Sequence, residues 1–192
     1  MKQTWIQSQL DRLTKYLVSC SKQNYKPYQI NMAIIFGSTL ELVAIPIFFV
    51  VSTKWLDYTL TLGKLFPNDK GTAPAVLAFC LGLTWMLWSI FTQHVQGNGT
   101  PFPLVPTKSL LVTGPYKYTR NPMAFGAIFW LLGWAFLANS PVALLGVGIF
   151  IIILVTYIKL IEEKELEARF GEDYIIYKQQ TPFIFPRLMI RR

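Results

Sequence analysis

Uncharged apolar runs dominate the chain. Four of them, Asn31 to Ser52, Pro74 to His94, Pro122 to Ala138 and Pro141 to Ile158, reach or approach the ~17 to 25 residues that a membrane-crossing helix needs. The first contains one acid, Glu41, and also Pro46, whose missing N–H and bulky ring predict a kink. A carboxylic acid facing lipid is costly, so Glu41 is expected to face the bundle, either as a hydrogen-bonded packing residue or in a functional role. Only Asn139 and Ser140 separate the third run from Pro141, which predicts a tight antiparallel helical hairpin. Ahead of these runs, Trp5, Ile6, Leu10, Leu13, Leu17 and Val18 recur at helical spacing, with Lys2, Arg12, Lys15 and Lys22 elsewhere around the helix. That pattern predicts an amphipathic helix, lying at the interface or capping the bundle. The first thirty residues lack the apolar stretch of a cleavable signal peptide.

Composition sharpens the membrane reading. The 192 residues are 53% hydrophobic and 15% charged, with a mean hydropathy of +0.38, where a soluble domain carries about a quarter charged residues. The net charge of +8 raises nucleic acid as a partner, but the basic residues form no compact patch and the apolar runs need lipid. Cys20 and Cys80 lie far apart, which excludes a disulfide framework, and no His and carboxylate cluster offers a metal site.

The expected architecture is a single all-α integral membrane domain, 1–192, with four to five transmembrane helices. It comprises an interfacial helix over 1–25, spans over 31–52, 74–94, 122–138 and 141–161, a connector over 95–121 and a C-terminal segment over 162–186. A fifth span would come from the N-terminal helix or from Phe183 to Ile190. Fifteen of the eighteen Lys and Arg residues fall before the first span, in the 95–121 loop or after the last span; only Lys54, Lys64 and Lys70 fall on the other side. The positive-inside rule therefore puts both termini and the connector in the cytoplasm.

Polar residues gather in the connector and in the stretch from Glu162 to Tyr177, on the same expected side. Five prolines from Pro101 to Pro122 forbid a regular helix in the connector, while its interleaved apolar residues argue for order. Glu162 and Glu163 should emerge just beyond the last span, and Glu163 and Glu167, four apart, share a face. A charge run alone is more often a solvated helix surface; the position of this one beside the connector favours a site. His94 as the sole histidine and the lack of a nucleophile elbow argue against a hydrolase triad, and Gly97 to Gly99 lacks the context of a Rossmann or Walker loop.

Taken together, His94 to Gln96, Gly97 to Pro101 (GNGTP), Leu111 to Tyr116 (LVTGPY), Arg120 to Met123 (RNPM), the Glu162 Glu163 pair, and Phe170 Gly171 followed by Tyr174 and Tyr177 resemble the isoprenylcysteine carboxyl methyltransferase family. That family sits within a wider group of membrane methyltransferases that includes phospholipid methyltransferases. Eukaryotic members typically have His and Tyr where this chain has Asn121 and Ala124, so the match is to the prokaryotic branch. The resemblance implies a methyltransferase that uses S-adenosylmethionine (SAM), releases S-adenosylhomocysteine and holds its cofactor in a cytoplasmic pocket. It carries cofactor contact to His94, Gln96, Leu111, Val112, Tyr116, Asn121, Pro122, Met123 and Glu162, with Tyr118 as a further aromatic face.

The same resemblance implies a lipophilic small molecule or a lipidated protein as methyl acceptor, among membrane lipids. For a prenylcysteine-like carboxylate, already ionised at neutral pH, no base is needed and Arg120 would orient it by a bidentate contact. For a phospholipid amine, Glu163, Glu167 or His94 would act as base. The competing class is a non-enzymatic membrane transport or assembly protein, which predicts midplane acids in repeated halves; the sequence contains no internal repeat.

Overall fold

A computed structural model describes residues 5–66, 70–97, 100 and 105–187. All regular structure among them is helical. The helices are α1 (Trp5–Ser21), α2 (Pro27–Thr59), α3 (Thr72–Gly97), α4 (Pro122–Ala138), α5 (Pro141–Phe170) and α6 (Glu172–Gln180), with one 3₁₀ turn, Gly114–Lys117, in the connector. Three of them, α2, α3 and α5, are long and apolar enough to cross a membrane, and α4 is a shorter apolar helix. The 17 residues of α4 extend roughly 25 Å, short of a ~30 Å hydrocarbon core.

Helix ends follow local chemistry. Pro27, Pro122 and Pro141 each sit in a first turn, where their missing N–H costs nothing. The α4–α5 hairpin is as tight as expected. Asn139 caps α4 in the left-handed conformation (φ 54°), and the Ser140 hydroxyl accepts from the Ala143 N–H at 2.8 Å to start α5. Asn139 also ties the hairpin to the preceding loop: its Oδ1 accepts from the Phe66 N–H at 2.7 Å and its Nδ2 donates to the Phe66 carbonyl at 3.1 Å.

Two spans run longer than the charge-free runs. α2 continues past Lys54 and Asp57, and α5 continues to Phe170, because a charge does not end a helix; Gly171, at φ +55°, does. Both contain one π-helical turn. The first, Leu40–Ala44, precedes Pro46 and is how α2 absorbs the proline without breaking. The second, Ile158–Glu162, lies where α5 leaves its apolar stretch.

The tightest packing is between α3 and α4, through glycine. A Cβ on Gly82 would lie 2.5 Å from the Trp130 nitrogen, and one on Gly126 would lie 2.6 Å from Met86 Cγ. Close backbone approach through small residues is how helices associate where lipid removes the hydrophobic drive. α2 is looser: Phe49 packs on the cluster of Leu131, Ala135, Ala143 and Val147, while Met32, Ile35, Ile47, Phe48 and Val51 are exposed, as lipid-facing residues would be. α1 packs on the far end of α5 and buries Leu17 and Cys20, while Trp5 and Leu13 of its apolar stripe, and Tyr16, are exposed. The 181–187 segment runs irregularly along the connector instead of forming a span, through bonds from the Arg120 N–H to the Pro182 carbonyl (2.9 Å) and from the Arg187 N–H to the Tyr118 carbonyl (3.0 Å). The remainder of Phe183 to Ile190, from residue 188, lies outside the described residues, as do Asn98, Gly99 and Pro101 of the GNGTP stretch.

Candidate functional site

A cavity of about 470 Å³ opens where α2, α4, α5, α6 and the connector meet, within the ~300 to 1,000 Å³ usual for cofactor and ligand sites. Its wall has two characters. Near the connector it is polar, with Gln93, Tyr116, Arg120, Asn121, Glu162, Glu165, Arg169, Tyr174 and Tyr177. Between the helices it is apolar, with Leu40, Ile45, Ala127, Leu131, Phe150 and Leu154.

From the π turn of α5 onward, a run of charges falls into two stripes. Glu162, Glu165, Leu166 and Arg169 face the cavity. Lys159, Glu163 and Glu167, four apart, form the neighbouring stripe and do not line it. Glu163 is buried at 4% exposure and is ringed by cations: Arg120 Nη1 at 2.8 Å, Lys159 Nζ at 3.3 Å and Lys178 Nζ at 2.7 Å. Lys178 also donates to Glu167 at 2.9 Å. Glu165 is paired with Arg169 at 2.7 Å, and Arg169 donates in turn to the Thr107 carbonyl, latching the connector to α5. Glu162 has no cation or hydrogen-bond donor against it among the described residues.

Three tyrosines complete the polar end. Gln93 Nε2 donates to Tyr116 Oη at 2.5 Å, and Tyr177 Oη donates to the Tyr116 carbonyl at 2.7 Å. Burial pushes the Tyr116 and Tyr177 hydroxyls well above the ordinary tyrosine range. Burial, with the nearby Glu163 charge adding to it, pushes Tyr174 up to about 12. All three are therefore neutral O–H groups at physiological pH, able to donate hydrogen bonds and offer ring faces.

Of the residues singled out from sequence, the fold brings Leu111, Tyr116, Arg120, Asn121, Pro122, Met123 and Glu162 to one wall. The others lie elsewhere. His94 and Val112 are exposed, and Gln96 is exposed with its amide oxygen accepting from the Thr113 hydroxyl. Tyr118 packs against Trp85 and Trp88 behind the wall. Glu163 and Glu167 share a face as expected, but that face meets Arg120 and Lys178. Arg120 has its Nη1 committed to Glu163, while its Nε is buried with no hydrogen-bond partner among the described residues.

Glu165, Arg169, Gln93 and Tyr157 join the wall without having been singled out. Glu162, Leu166 and Arg169 fall at four- and three-residue spacing, so a helical projection of the charge run would have found that stripe.

The segment from Thr72, the start of α3, to Asp173, in the first turn of α6, matches the family model described as phospholipid methyltransferase, residues 72–173 and more than half of the chain. The chain belongs to the phospholipid methyltransferase family. This is the wider group indicated by the connector and α5 motifs, and it makes the helical bundle an integral membrane one. The chain is also 35% identical over 128 residues to "Methanethiol S-methyltransferase 2" of Bradyrhizobium diazoefficiens, an alignment covering 58% of this chain and 47% of that protein. It thus spans about half the length of that curated relative. α1 and α2 lie outside the segment matched by the family, although α2 supplies one side of the cavity.

Proposed function

We propose that the protein is a SAM-dependent methyltransferase acting on a lipophilic acceptor, and that the two-character cavity is its active site. The observation that carries this reading is the joining of a polar, aromatic end to an apolar end in one cavity of a chain of this family. The donor set fits SAM. Glu162, lacking a cation partner among the described residues, suits the ammonium or ribose hydroxyls, and the rings of Tyr116 and Tyr174 suit a sulfonium. Bound there, SAM would supply an electrophilic methyl group.

The chain's own residues mainly align the partners and exclude water, which for an in-line displacement is most of the catalytic task. The Arg169 tether from α5 to Thr107 closes the connector over the polar end, and α6 closes the other side with Tyr174 and Tyr177. The apolar end lies among spanning helices, so an acceptor dissolved in lipid would enter between them. The basic-residue asymmetry supports a cytoplasmic polar end; a Lys117→Cys probe, after replacement of Cys20 and Cys80, should resist impermeant labelling from outside intact cells.

The prenylcysteine-like carboxylate and the phospholipid amine stay within this reading as acceptor classes. The test is transfer of labelled methyl from SAM by purified protein to a panel of prenylcysteine analogues, phosphatidylethanolamine and alkyl thiols. Label should appear in at least one acceptor. Failure of every acceptor, together with absence of SAM binding, would overturn the proposal.

A further inference from the structure

Glu41 stands apart from the other acids. It lies in the π turn of α2, inside a membrane span, and lines the cavity. Among the described residues no side chain pairs with it. An ionisable group held inside a span is costly and marks a functional position, with a partner to be named. Its depth is set by α2: Phe49, two turns further on, packs beside Leu131 and Val147 near the hairpin, so Glu41 lies on the order of 12 Å closer to the polar end. It shares the cavity wall with the tyrosines and Glu162, so an acceptor whose body lies in the apolar end can bring its reactive group to Glu41 and to a donor held at Glu162.

Charge in the wall points the same way. Of the two cations that line the cavity, Arg169 is paired with Glu165 and Arg120 shares Glu163 with Lys159 and Lys178, whereas Glu41 has no cation beside it among the described residues. A carboxylate acceptor whose reactive group met Glu41 would find no opposite charge there and would need no base, whereas a thiol or an ammonium brings a proton for the carboxylate to take.

We propose that Glu41 meets the acceptor's nucleophile and takes its proton, and that the acceptor is a thiol or an amine on an apolar body, not a carboxylate. This rests on the methyl-transfer reading above. A lone pair on the acceptor sulfur or nitrogen forms the bond to the methyl carbon, and the carbon–sulfur bond of the sulfonium donor breaks with its electrons left on sulfur. The proton borne by the acceptor passes to the Glu41 carboxylate and then to water.

The experiment uses the full chain in lipid nanodiscs with 1-decanethiol, decylamine and decanoate, which share one apolar body. Label from SAM should pass to the thiol or the amine and not to decanoate, and the productive arm identifies the nucleophile. Glu41→Gln should lose at least a hundredfold in kcat/KM while S-adenosylhomocysteine affinity, which reports folding, stays within threefold. Without any cofactor, Glu41→Gln should bind decylamine more weakly and decanoate more tightly than the parent, opposite shifts that a packing role would not produce. Should Glu41→Gln not fold, Glu41→Asp, which keeps the carboxylate, should retain the parent's preference for decylamine over decanoate. Methylation of decanoate as fast as the other two, or parent-like turnover in Glu41→Gln, would overturn the inference and leave the methyl-transfer reading standing. Failure of the parent to bind S-adenosylhomocysteine would defeat both.

Discussion

Glu162 and Glu163 are neighbours in the chain with opposite surroundings. Glu163 is buried among three cations, whereas Glu162 faces a cavity with no cation partner among the described residues. The difference comes from helix geometry: a step of one residue turns a side chain by more than a quarter of a turn, enough to take Glu163 off the cavity wall and onto the neighbouring stripe. A row of acids is therefore two things here. One stripe braces α5 against the connector and α6, and the other lines the cavity, with Glu165 paired to Arg169 and Glu162 without a cation partner among the described residues.

The sharpest way to break this contrast is to neutralise each acid in turn. Glu163→Gln would leave Arg120, whose side chain is 8% exposed, without its carboxylate. Loss of a buried partner costs about 3 to 5 kcal/mol, which should lower the thermal midpoint by roughly 10 °C at about 2 to 4 °C per kcal/mol. Glu162→Gln should leave the midpoint nearly unchanged. Equal midpoints for the two variants in a fluorescence melt would remove the distinction.

Arg120→Lys sharpens it further. A point charge keeps the attraction to Glu163 but loses the planar fork, so the expected loss is the ~1.5 to 3 kcal/mol of a charged hydrogen bond at most. Full retention of stability with a large loss of turnover would move Arg120 from brace to acceptor contact.

The smallest effect belongs to the outer end of the bracing stripe. Lys178 and Glu167 are 32% and 41% exposed, so Glu167→Gln should cost under about 1 kcal/mol. Hydrogen bonds to Glu163 and then Glu167 hold the Lys178 ammonium above the ordinary lysine value. The stabilisation is therefore present at neutral pH and lost only as pH rises through that raised value. The parent should lose slightly more thermal stability than Lys178→Met between pH 9 and 11; identical slopes would remove Lys178 from the brace.

Much of the fold was legible because apolar run length and proline placement fix helices locally. Asn139, Ser140 and Pro141 determine the hairpin by themselves. What the run lengths missed were the extensions of α2 and α5, since charged residues continue a helix readily when no glycine or proline intervenes. At the site, motif positions led to Tyr116, Arg120, Asn121 and Glu162. They could not tell which side of α5 faced the cavity, because that depends on the π turn and on where Lys178 and Arg120 arrive from distant segments. Glu41 was legible as an anomaly, an acid in a span, but its place in the cavity wall depends on how α2 packs against α4 and α5.

The central claim is that the cavity-facing stripe, and not the bracing one, holds the cofactor. Calorimetric titration of SAM into detergent-purified parent, Glu162→Gln and Glu167→Gln tests it most directly. Removing a charge-assisted contact of ~1.5 to 3 kcal/mol corresponds to roughly one to two decades in affinity, so Glu162→Gln should bind SAM ten- to a hundredfold more weakly, with Glu167→Gln matching the parent. Parent-like affinity in Glu162→Gln, or a larger loss in Glu167→Gln, would contradict the account.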